Sequence, residues 1–176
     1  MKISLYAIAI ETFVAMLRSL SQILEKTAQH ASARNFDSAV LVNARLAPDM
    51  FPLVKQVQVA CDQAKNSTAR LMGKEPPHFE DNEQTLEELR ARIARTIDYL
   101  QSAPASAFEG AEDRELKIPL ADNLALEMNG LQFLRDWALP NFYFHLVTAY
   151  DILRHNGVNI GKRDYLSRIA GAIRQH

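Results

Sequence analysis

Asn141-Phe-Tyr-Phe-His145-Leu-Val-Thr148-Ala-Tyr150-Asp151-Ile-Leu-Arg-His155-Asn-Gly157 reads as a helix that is apolar almost all the way round, yet it carries two histidines, an aspartate, a threonine and two tyrosines. Such a helix is normally buried, and its polar groups then need partners or a task. At about 100° per residue, Phe142, His145, Leu146, Ala149, Ile152 and Leu153 share one face. Phe144, Thr148, Asp151 and His155 share roughly the opposite one. Asp151 and His155 are four apart, so both side chains can reach one ion or one substrate atom. The plainer alternative is a local hydrogen bond near a helix C-terminus, where a protonated histidine is favoured anyway. His145 lies on the apolar side and needs one hydrogen bond, for which Gln56, Asp62 and Asn66 are possible partners on another helix. His145, Thr148, Asp151, His155 and Asp62 are therefore the candidate ligand-binding residues.

Working outward, the spacing predicts three further long helices. From about 6 to 33, Phe13, Leu17, Leu20, Leu24, Ala28 and Ala31 recur at three and four. Asp37 is a possible cap for a short helical turn after it. Met50, Val54, Val57, Cys61, Ala64, Thr68 and Leu71 mark a second helix, with Asp49 as cap, Pro52 in its first turn and Gly73 as its stop. Thr85-Leu-Glu-Glu88 is a capping box for a third, striped by Leu86, Leu89, Ile93, Ile97 and Leu100, with Arg90, Arg92 and Arg95 outside the stripe. The intervening 74–84 is polar and proline-bearing, a loop. Leu116, Ile118 and Leu120, then Leu124, Leu126 and Met128, alternate with other residues on either side of Ala121-Asp122-Asn123, a β-hairpin with Pro119 at an edge. Gly130 opens the last helical part, Pro140 breaks or kinks it, and Leu166, Ile169 and Ile173 suggest a short terminal helix. The fold class is all-α: four long helices joined by long crossover connections, with the hairpin between the third and last helices.

The totals restrict function. A chain of 176 residues, 48% hydrophobic and 23% charged, is most simply one domain with a real core. Its 20 basic and 21 acidic residues are interspersed, which removes the basic face of a nucleic-acid binder. The single Cys61 excludes an internal disulfide framework and suits a reducing compartment. The apolar run 1–10 continues into helix past Glu11, and no stretch approaches the roughly 20 apolar residues that span a bilayer. A cytoplasmic protein with no membrane partner is expected.

The remaining histidines, His30, His78 and His176, lie at a helix end, in a loop and at the terminus, and read as solvated. The second helix has no histidine, and Asp62 is its only interior carboxylate. A zinc or nickel site needs about three protein ligands, so His155 and Asp151 would be the ligands if a metal bound. There is no Glu-x-x-His pair on facing helices for a di-iron centre, no glycine-rich phosphate loop and no Gly-x-Ser-x-Gly elbow, and Cys61 sits in a core stripe.

Ala-Arg-Leu-Ala-Pro-Asp-Met-Phe-Pro-Leu (44–53) and Val57-Gln-Val-Ala-Cys-Asp62 form one familiar part. Pro140-Asn-Phe-Tyr-Phe-His145, Thr148-Ala-Tyr150, Leu153-Arg-His-Asn-Gly157-Val and Gly161-Lys-Arg-Asp164-Tyr-Leu166 form the other. Over nearly its whole length the chain resembles an uncharacterised bacterial domain-of-unknown-function family grouped with the DinB/YfiT-like four-helix bundles. That resemblance implies the bundle fold, frequent homodimers, and in many members a divalent metal held by three histidines, some of them thiol-dependent transferases. The superfamily's His-x-x-x-His would place its second histidine on His155 and its first on Asp151, while the second helix offers none. Two readings follow. The chain is a metal-free bundle that binds a small molecule or acts as a dimeric interaction protein, with a pocket beside the last helix and no cofactor. Alternatively, it is a divalent-metal-dependent hydrolase or thiol transferase with a degenerate site.

Overall fold

The computed structural model describes residues 4–120 and 122–174. Among them, four long helices carry the fold: α1 (Thr12–Ala33), α2 (Leu53–Leu71), α3 (Leu86–Gln101) and α4 (Leu139–His155). α1 packs against α3 and α4, and α2 packs against the same two. Consecutive helices α1 and α2 are thus diagonal across the bundle, which is why their connection is a long crossover. A two-stranded antiparallel hairpin, β1 (Glu115–Pro119) and β2 (Ala125–Asn129), precedes α4 with Leu116 opposite Met128 and Ile118 opposite Leu126. Its turn holds Asp122 and Asn123 at φ of 58°, the left-handed geometry that tight hairpins need. Ala121 of the expected turn lies outside the described residues, as does His176.

One cluster of buried side chains fills the bundle, with Phe13 and Phe142 meeting edge to face at 4.9 Å between centroids. The stripe on α1 is as the spacing predicts except at one step. Ala28 is exposed, and the neighbouring Thr27 is buried, its hydroxyl donating to the Ile23 carbonyl at 2.9 Å. A π-helical turn, Ala7–Glu11, leads into α1. The resulting helix Ala7–Ala33 contains an 18-residue window of mean hydropathy 1.4, long and apolar enough to cross a membrane, which corrects the expectation that no stretch comes close. Here 56% of that window is buried, and its apolar face is one wall of the core.

α2 begins at Leu53 instead of Asp49. Its N-cap is Pro52 in extended conformation, and no side chain caps it. A proline pushes the residue before it out of helical geometry, so 49–51 cannot join the helix. Asp37 lies one residue before the N-cap Ser38 of the turn Ala39–Val42 and accepts from its first N–H, that of Ala39, at 2.8 Å. α2 ends at Gly73 with φ of 68°, where the Lys74 N–H returns to the Ala69 carbonyl. The capping box of α3 is complete: Glu88 N–H donates to Thr85 Oγ1 at 3.1 Å, and Thr85 N–H to Glu88 Oε2 at 2.9 Å.

Helix runs without interruption from Gly130 through the π segment Phe133–Ala138 into α4. Pro140 therefore does not break it. The wide π turns just upstream accommodate the missing proline N–H, and Asn141 Nδ2 donates to the Trp137 carbonyl at 2.9 Å. Gly130 is required by space: a Cβ there would lie 1.8 Å from the Ala111 carbonyl oxygen. After Gly157 the chain forms a short helix, Lys162–Tyr165, and a 3-10 turn, Ser167–Ala172, in place of the expected terminal helix, and Ile169 and Ile173 are exposed. The short helix is pinned to α1 by Lys26 and Asp164.

Candidate functional site

On α4, His145 is half-buried and its Nδ1 lies 2.8 Å from Gln56 Oε1 on α2. Gln56 Nε2 donates to the Phe51 carbonyl, so Oε1 faces His145 as acceptor and the imidazole carries its proton on Nδ1. Burial pushes the His145 pKa below its ordinary value, which keeps the ring neutral at physiological pH. Of the partners offered by the sequence, Gln56 is the one that meets it. Thr148 is buried, but its hydroxyl turns back to the Phe144 carbonyl at 2.7 Å, a bond within its own helix.

Asp151 and His155 do not join them. Both are exposed, and they make no hydrogen bond to each other among the described residues. The near end of α2, at Gln56, already sits opposite His145, and the far end, at Leu71, packs beside Gly130. The two helices are antiparallel, so the last turn of α4 runs past the start of α2. Asp62 is six residues beyond Gln56, about 9 Å along the axis and turned by about 240°. It faces α3. The five candidate residues are therefore not brought together: His145 meets Gln56, Asp62 meets Arg92, and Asp151 and His155 are exposed. Of the five, Asp62 lines a cleft of about 420 Å³.

The organised polar site is on the other side of α2. Arg92, from α3, is fully buried. Its Nη2 reaches Asp62 Oδ1 at 3.0 Å and Asp81 Oδ1 at 2.9 Å, and its Nη1 reaches Glu83 at 3.2 Å and the Glu80 carbonyl at 2.9 Å. Lys65 holds Asp62 at 2.9 Å, Lys55 holds Asp81 at 2.6 Å, and Gln58 Nε2 donates to Glu83 at 3.0 Å. The phenyl ring of Phe79 lies between Lys65 Nζ at 4.4 Å and the Arg95 guanidinium at 4.2 Å. Segment 74–85 is thus a strap bound across α2 and α3 by charge.

Burial raises the cost of charging Asp81, but the hydrogen bond from Lys55 and the charge of Arg92 outweigh it and hold the carboxyl below its usual range. Beneath the strap, burial pushes the Cys61 thiol up to about 12, so it is no nucleophile. Spacing alone placed Arg92 outside the α3 stripe. The available signal was complementary charge, with Glu80, Asp81 and Glu83 ahead of Arg90, Arg92 and Arg95.

Among the described residues, no three His, Cys, Asp or Glu side chains are grouped so that they could hold one ion. Asp151 and His155 face outward, and Asp62 is committed to Arg92 and Lys65. Among the described residues the superfamily's three-ligand set is not assembled.

The crossed bundle with a hairpin before its last helix defines the DinB-like class. A crystal structure of a DinB family member protein from Shewanella denitrificans is similar at 43% identity, covering 92% of this chain and 91% of that one, with a TM-score of 0.86. The chain belongs to the family described as Domain of unknown function (DUF1993), whose model matches residues 5–166. No curated protein matches the sequence.

Proposed function

We propose that the protein is a metal-free interaction protein that works as a homodimer, with the outward side of α4 as its self-interface. The observation that carries this is a run of exposed apolar side chains. Phe144 is 59% and Val147 39% exposed, three apart on the same side of α4. Phe51, 53% exposed, is near it in the chain of contacts: Gln56 bonds the Phe51 carbonyl and His145, and the His145 ring packs edge-on against Phe144 at 5.1 Å between centroids. Single exposed apolar residues are ordinary, whereas a contiguous patch with aromatic anchors marks an interface. Frequent dimerisation in the DinB/YfiT-like bundles points the same way.

Sedimentation velocity at micromolar concentration tests the reading. The wild type sediments as a dimer, and Phe144→Asp with Val147→Asp sediments as a monomer of unchanged helix content. A monomeric wild type overturns it. The metal-free part rests on ligand count and on the separation of Asp62 from Asp151 and His155. Stoichiometric zinc or nickel after purification without chelator, lost in His155→Ala, would replace it with the superfamily's metal-dependent chemistry.

A further inference from the structure

The outward side of α2 and the strap border an open cleft of about 420 Å³, a volume within the range of small-molecule pockets, roughly 300–1,000 Å³. One wall is Pro76, Pro77 and Phe79. The proline rings fix their own backbone, and Phe79 is held between two cations, so this wall needs little ordering when something binds. The other wall is α2, which contributes Asn66 and Arg70, and His78 of the strap also lines the cleft.

Which polar groups remain free decides the ligand. Both acids of the cleft are engaged, Asp62 by Lys65 and Arg92, and Asp81 by Lys55 and Arg92. The Arg70 guanidinium, the Asn66 amide and the His78 ring make no side-chain hydrogen bond or ion pair among the described residues. Arg70 is half-buried, and only the more distant charge of Glu75 offsets the desolvation of its cation. The unspent capacity of the cleft is therefore donor capacity beside an apolar wall.

We propose that this cleft binds a small organic monoanion, a carboxylate on a compact apolar or aromatic body, with Arg70 and Asn66 taking the carboxylate and Pro76, Pro77 and Phe79 the body. A guanidinium fork matches a carboxylate geometrically. Among the described residues lining the cleft, Lys65 is already paired with Asp62 and Arg70 has no carboxylate partner, so one negative charge matches the free guanidinium and a second would find no free cation. The site is on a different side of α2 from the α4 patch and does not depend on dimerisation.

Benzoate and benzamide, alike in shape and different in charge, are the probes. Titrated into full-length ¹⁵N-labelled protein, benzoate saturably shifts the Asn66 side-chain amide and the Arg70 Nε–H, with a dissociation constant of about 1 mM or tighter. Benzamide binds at least about tenfold more weakly, as expected for loss of a charge-assisted bond. Arg70→Gln abolishes the difference between the two probes while the melting temperature holds, and Asn66→Ala weakens benzoate if the arginine variant does not fold. Equal affinity for both probes, unchanged discrimination in Arg70→Gln, or no saturable shift overturns the proposal. Inorganic phosphate binding as tightly as benzoate overturns the apolar-body part of it.

Discussion

α2 is buried on two sides by opposite means. Toward α4 it presents Gln56, Ala60, Ala64 and Leu71 to an apolar helix, and a neutral His145–Gln56 bond is the polar link between them. Toward α3 and the strap it presents Gln58, Asp62 and Lys65 to a buried arginine and two further carboxylates. The first side is held by shape and apolar area. The second is held by charges that satisfy one another and lose their balance when one is removed. The two sides should answer differently to truncation, to added bulk and to pH.

The largest effect is expected on the charged side. Arg92→Ala removes the shared partner of Asp62, Asp81 and Glu83 and leaves Glu83, whose side chain is 5% exposed, with only the longer 4.0 Å contact to Arg95 and the Gln58 amide. Breaking a buried ion pair from one end costs about 3–5 kcal/mol. Asp62 and Asp81 retain some contact with water, which places the loss near the lower end. At roughly 2–4 °C per kcal/mol for a chain of this size, the melting temperature falls by roughly 6–12 °C. The strap, cut loose, should also be cleaved first by proteases. A shift of only about 1 °C would show that the apolar side alone holds the strap region in place.

On the apolar side the corresponding break is added bulk. Gly130→Ala drives a Cβ into the Ala111 carbonyl oxygen, and backbone cannot step aside as a side-chain tip can. Overpacking of this kind costs about 1–3 kcal/mol, and because Gly130 is the first residue of its helix the interior propensity gain of alanine does not offset it. Urea denaturation should show a lower midpoint with an unchanged slope. An unchanged midpoint would mean that the loop carrying Ala111 yields freely. A smaller loss, about 1 kcal/mol, is expected from Thr85→Ala, which removes the α3 cap at the end of the strap.

Local signals made most of the fold legible. The Thr85–Glu88 box, the Gly73 stop and the period-two runs around Asp122-Asn123 each depend on a few neighbouring residues, and the structure has each where the sequence puts it. The start of α2 was misread because Asp49 is a good cap in isolation, and the conformational demand of Pro52 on Phe51 overrides it. The candidate site was less legible for a different reason. Spacing gave the rotation of each helix about its own axis, so Asp151 and His155 were rightly placed on one side of α4. It could not give how far α4 slides past α2, and that offset separates them from Asp62. Arg92 was hidden because a long side chain beside an apolar stripe reads as solvated until a carboxylate is found to cover it. The strap supplies that cover from a segment without periodicity.

The smallest expected effect separates the two sides of α2 by pH. His145 has a folded pKa lowered by burial. Between the unfolded value of about 6.5 and that lower value, the unfolded chain takes up a proton that the folded chain refuses. Stability therefore declines as pH falls below about 6.5. Asp81 has a folded pKa lowered despite burial, by Lys55 and Arg92. Its contribution is complete above about 3.9 and is lost as pH falls through the depressed folded value. Thermal melts between pH 7.5 and 3 should therefore show a gentle slope that His145→Gln flattens at its upper end and Asp81→Asn flattens at its lower end. A slope between pH 6.5 and 5 that survives His145→Gln would mean that the Gln56 bond holds the imidazole equally well in both protonation states. The neutral character assigned to that side of α2 would then be wrong, because a charged ring there would make it a second ionic junction.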